Sequence, residues 1–132
     1  MTVTAPPGST VRTPLAVRAG AVLLGLLLAV STLGLILHGI VWSEEPFGPG
    51  LVFAAFMLAT AATAAAAIPS LLHGTALGWA LTFGWACCYT YWSVYKVFGE
   101  QEWVSLSFLS AGVGVVTLLA TRAARTHAGI AR

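Results

Sequence analysis

Charged side chains are absent from three long stretches of this chain, residues 19–43, 46–95 and 103–121. That absence limits the possible folds more than any motif does. Charged residues make up only 8% of the sequence and hydrophobic ones 58%, whereas an average soluble domain is roughly a quarter charged. So few charges cannot cover a soluble globule, and so apolar a chain is not a disordered one. Two cysteines are too few for a secreted disulfide scaffold. At 132 residues the chain is expected to form one domain. The expected class is an all-α integral membrane protein.

Four apolar runs are predicted as transmembrane helices, over about 17–42, 50–72, 75–98 and 102–121. A hydrocarbon core of about 30 Å takes about 20 residues to cross at 1.5 Å each, and each run reaches that length. Spanning strands would be about ten residues long and would alternate; nothing here alternates. The connections are short. Residues 43–49 contain Pro46 and Pro49, which continue neither helix. His73-Gly74-Thr75 offers a C-cap glycine followed by an N-cap threonine, and Gly99-Glu100-Gln101 reads as a tight turn. Short loops force antiparallel neighbours, so an up-down-up-down bundle is expected over residues 16–122. A disordered tail, 1–15, should precede it and a basic tail, 123–132, should follow. The first run begins like a signal peptide, but it continues to Trp42, past the usual core of about 7–15 residues. A retained helix is expected.

The charges are segregated. Arg12 and Arg18 flank the first run, and Arg122, Arg125 and Arg132 follow the last. There is no aspartate, and Glu44, Glu45, Glu100 and Glu102 all fall in two gaps between runs. Because basic residues are retained on the cytoplasmic side, both termini should be cytoplasmic, the glutamate loops should face outward, and the chain should reside in the plasma membrane. The excess of arginine over lysine, with abundant alanine and glycine, points to a GC-rich bacterial genome. No clustered basic face suggests nucleic acid as a partner.

Small residues mark helix contacts in lipid, and the second run is built of them. Ala55, Ala59, Thr63 and Ala67 form an i, i+4 stripe, read as a helix-packing surface. A polar path through Thr60, Thr63, Ser110 and Thr117 is the alternative. The third run is instead aromatic: Trp85, Tyr89 and Trp92 share a face that Lys96 extends, and Tyr91, Tyr95 and Phe98 share another. The expected topology gathers His38, Glu44, Glu45, Lys96, Glu100 and Glu102 at one outer rim. That cluster could hold a divalent cation or respond to pH.

Other chemistries are disfavoured. His38 and His73 fall at opposite depths and cannot share a haem iron. His73 reads as an interfacial cap and His127 as part of a solvated tail. Cys87 and Cys88 point about 100° apart on a helix, which suits packing and neither a disulfide nor a CxxC redox motif. No phosphate loop, HExxH or GxSxG is present, and no carboxylate lies inside a run to act as a general acid or base. No catalytic residue, metal or cofactor is expected. In length and helix count the chain is similar to the small multidrug resistance transporters, which rely on a glutamate in the first helix; this first helix holds no carboxylate. The expected function is a non-catalytic interaction or accessory subunit whose partners are the lipid bilayer and another membrane protein or a second copy. A small oligomeric transporter or channel with an acidic outer rim is the alternative.

Overall fold

Alanine, leucine and glycine leave the backbone little to do in an apolar setting but satisfy itself, and helices result. A computed structural model describes the backbone of residues 12–42 and 49–131 and the side chains of 12–37, 52 and 54–131. Those residues form α1 (Leu15–Trp42), α2 (Pro49–Leu72), α3 (Ala76–Phe98), α4 (Ser105–Ala120) and a short α5 (Arg122–His127). No strand occurs among the described residues. Successive helices pack side by side and α4 closes back onto α1, so α1 to α4 form a ring. Contacts between opposite ends fix the antiparallel sense: Gly20 meets Leu119, and Trp79 Nε1 donates to the Leu119 carbonyl at 2.8 Å.

The α2–α3 turn follows its sequence signals. Gly74 adopts φ 76, and its N–H reaches the Leu71 carbonyl at 3.0 Å, as a C-cap glycine does. Thr75 then caps α3, its hydroxyl accepting from the Gly78 N–H at 3.0 Å. In the α3–α4 turn the left-handed residue is Gln101 (φ 56), not Gly99.

Interior packing joins Val17, Leu24, Leu27 and Leu28 of α1 to Ala61, Ala64 and Leu71 of α2. Ala21 of α1, Trp85, Ala86 and Tyr89 of α3, Val115 and Leu119 of α4 and Ala124 of α5 complete it. Two close approaches hold the ring tight. An added Cβ at Gly78 would lie 2.4 Å from the Leu71 nitrogen, and one at Gly112 would lie 2.6 Å from the Thr90 hydroxyl.

Two stretches, Leu15–Leu37 and Ala54–Leu72, are long and apolar enough to cross a membrane. The core helix of a soluble protein can meet that criterion, but it is mostly buried. Here only 28% and 22% of the two apolar windows are buried. The first stretch lies near the N-terminus, where a signal sequence meets the same criterion; α1 sends Val17, Ala21, Leu24, Leu27 and Leu28 into the core. α3 is long enough at 23 residues, but its tryptophans, tyrosines and hydroxyl residues make it less apolar. α4 has 16 residues, about 24 Å at the helical rise, and is shorter than the run expected over 102–121.

The two ends also depart from expectation. Thr13 and Pro14 belong to the folded structure: the Pro14 carbonyl accepts from the Val17 and Arg18 amides. Residues 1–11 of the expected tail lie outside the described residues. At the other end the 123–132 segment begins within α5. The Thr121 hydroxyl donates to the Leu118 carbonyl at 2.8 Å and accepts from the Ala124 N–H at 3.3 Å, ending one helix and starting the next.

Candidate functional site

Lys96 sits in the last turn of α3, which places it where the bundle meets the α3–α4 turn. Its ammonium donates to Glu100, one helical turn on, and to Glu102 Oε2 at 3.0 Å. It also lies 5.9 Å from the centre of the Trp92 ring, within cation–π range. The side chains of Lys96, Glu100 and Glu102 are 30%, 41% and 48% exposed, so each pair contributes about 0–1 kcal/mol. Of the six residues expected at the outer rim, these three meet. His38, Glu44 and Glu45 lie outside the residues whose side chains are described. Among the described residues no group of three metal-ligating side chains forms. The lysine already occupies the space between the carboxylates that a cation would take.

Beneath the ion pair a cleft of about 240 Å³ opens between the helices, reached by Ser31, Tyr89, Ser93, Lys96, Glu102 and Ser105. Two of its hydroxyls are engaged along their own helices: Ser31 donates to the Leu27 carbonyl at 2.7 Å, and Ser93 donates to the Tyr89 carbonyl at 3.0 Å. Apart from Tyr89, which belongs to both, the residues lining this cleft lie nearer the Lys96 end of their helices than the core residues do. Leucine, valine and alanine therefore fill the interior below it. The polar path considered from sequence does not form within one copy. Thr63, Ser110 and Thr117 are exposed, and the Thr60, Thr63 and Ser110 hydroxyls donate to carbonyls of their own helices at 2.9 Å.

The stripe on α2 divides. Ala67 is buried, whereas Ala55, Ala59 and Thr63 are exposed. The inward face is Ala54, Ala61, Ala64, Ala67 and Leu71. Beside the exposed part runs an apolar groove of about 420 Å³ between α2 and α3, walled by Thr63 and Phe56 on one side and Leu81, Cys88 and Trp92 on the other. Gly84 keeps it open, since nothing lies within 4 Å of where its Cβ would stand. The aromatic faces of α3 fall as their spacing suggests. Trp85 and Tyr89 are buried and stacked at 5.0 Å, and Tyr91, Tyr95 and Phe98 point outward.

His127 was expected in a solvated tail. Its Nε2 instead lies 3.1 Å from the Leu72 carbonyl oxygen, which fastens α5 to the α2–α3 turn. The signal for α5 is present in the sequence: threonine at 121 before a run of helix-forming residues. No protein-family model matches this chain, and no curated protein or solved structure matches it either.

Proposed function

We propose that this is a four-span protein of the cell membrane with both termini cytoplasmic, acting without catalysis as an interaction or accessory subunit that docks through the outward face of α2. The observation that carries the reading is the exposure of Ala55, Ala59 and Thr63 beside an open groove. Small residues allow a second helix to approach closely in lipid, where packing and not hydrophobic exclusion drives association. The groove would receive the larger side chains of that helix. Assigning α4 as a span requires a locally thinned bilayer or help from residues 102–104, a modest cost. Against an oligomeric transporter or channel stands the lack of any carboxylate, lysine or arginine at depth. In its favour stands the half-polar cleft under Lys96.

Cysteine cross-linking in native membranes tests the docking face, in a Cys87→Ser/Cys88→Ser background. Ala59→Cys and Thr63→Cys should give cross-linked species with a flexible bismaleimide, and Val22→Cys and Leu26→Cys on the outward face of α1 should not. Equal yields at all four positions would remove the proposed face. The topology has its own test. Reporter fusions should be active outside at Pro46 and inside at the C-terminus; an outward C-terminus would overturn the four-span assignment.

A further inference from the structure

Among the described residues, the end of the bundle opposite Lys96 carries charged side chains of one sign only. Arg12, Arg18, Arg122 and Arg125 are all exposed there. Packing makes them parts of one surface. α5 lies against α1 and α4, with Ala124 fully buried and Ala128 nearly so. The Leu72 carbonyl gathers the pieces, taking a hydrogen bond from Thr13 at 3.4 Å while His127 Nε2 lies 3.1 Å away. Two open clefts flank His127. One, of about 530 Å³, is lined by Pro14, Arg122, Ala123, Thr126 and His127; the other, of about 570 Å³, by Thr13, Leu72, His73 and His127. Both volumes fall in the range of small-molecule sites, roughly 300–1,000 Å³.

Among the described residues no acidic side chain pairs with these arginines. Aspartate is absent, Glu44 and Glu45 follow the far end of α1, and Glu100 and Glu102 lie beyond the far end of α3. Four guanidiniums without an acidic side-chain partner therefore sit at one edge of an apolar band, where a bilayer presents its headgroups. A guanidinium matches a phosphate with two parallel N–H bonds, and this geometry favours arginine over lysine.

We propose that this basic end is a binding surface for anionic phospholipid headgroups, with Arg122 and Arg125 engaging the phosphodiester and the bound lipid holding α5 against the bundle. The inference rests on the membrane reading but not on the docking face of α2. A preliminary fractionation separates the two: a chain recovered in the aqueous phase without detergent overturns the membrane reading itself.

The test uses the full chain purified in a neutral detergent and follows thermal unfolding by its tryptophan fluorescence. Phosphatidylglycerol should raise the midpoint by several degrees, because a ligand of the folded state stabilises it by mass action. Phosphatidylcholine and inorganic phosphate at equal concentration should not. Raising salt from 0.1 to 1 M shortens the screening length from about 10 to 3 Å and should abolish most of the shift. Arg122→Gln/Arg125→Gln should weaken the response about 25-fold in lipid concentration, the effect of two basic residues near an anionic surface. Arg122→Lys/Arg125→Lys, which keeps the charge but loses the paired N–H bonds, should respond between the parent and the glutamine pair, and lipid-free melting like the parent's guards against misfolding of either variant. Equal shifts with phosphatidylglycerol and phosphatidylcholine would overturn the proposal. So would a full shift with phosphate alone, or a folded glutamine variant that responds like the parent.

Discussion

Gly78→Ala should destabilise the bundle by ~2–3 kcal/mol, although helix propensity alone would make alanine better there by about 1 kcal/mol. The new Cβ would stand 2.4 Å from the Leu71 nitrogen and 2.5 Å from the Ser70 carbonyl carbon. Those are backbone atoms, and they are held. Leu71 is 1% exposed, and the Ser70 carbonyl accepts from both the Thr75 amide and the Thr75 hydroxyl. Moving α3 away would also strain the Thr75 cap on Gly78, itself worth about 1 kcal/mol. Gly84→Ala is the matched control on the same helix. Its Cβ meets nothing within 4 Å, so the same substitution should be neutral or stabilise by about 0.5–1 kcal/mol. Thermal melts in one detergent would read both. If Gly78→Ala melts at or above the parent, α2 and α3 do not cross as closely as described.

The same turn shows how much was legible in the sequence. Gly74 and Thr75 are local signals with local consequences, since a left-handed residue and a hydroxyl cap act within a few residues of themselves. The segregation of charge was equally legible, because an arginine at the end of an apolar run has few places to go. The inward face of α2 was not. From Ala59 to Ala67 no side chain is larger than threonine, so no apolar stripe distinguishes inside from outside. An i, i+4 row also turns by about 40° at each step on a helix of 3.6 residues per turn. By Ala67 the row begun at Ala55 has moved about 120° round the axis, from the outer surface into the core. The buried set Ala54, Ala61, Ala64, Ala67 and Leu71 instead mixes steps of seven, three and four residues, which no single i, i+4 row follows. α5 was missed for another reason. Its arginines and His127 read as a solvated tail, and only tertiary contacts, the burial of Ala124 and the approach of His127 to Leu72, show that the segment is held.

If the outward face of α2 docks a second helix as proposed, Ala59→Leu and Thr63→Leu should abolish that association while leaving the monomer's melting point nearly unchanged. Both positions are exposed, so leucine displaces nothing within one copy, and surface substitutions usually stay within about 0.5 kcal/mol. Thr63 gives up only a hydroxyl bonded to its own helix at the Ala59 carbonyl. A helix approaching this face would meet bulk where close contact depended on its absence. Loss of tenfold or more in association is expected, equivalent to about 1.4 kcal/mol. The neighbouring positions make the contrast. Ala61 and Ala64 are 4% and 1% exposed, so Ala61→Leu and Ala64→Leu overpack the core and should cost about 1–3 kcal/mol of monomer stability. Four chemically similar substitutions within one helical segment are thus expected to split into two classes, decided by rotation about the helix axis. Cross-linking yield in native membranes would report association, and melting in detergent would report the monomer. Undiminished complexes in Ala59→Leu and Thr63→Leu would exclude this face as the interface. Their failure to fold would mean that the face is buried within the monomer, and the interaction reading would lose the observation that carries it.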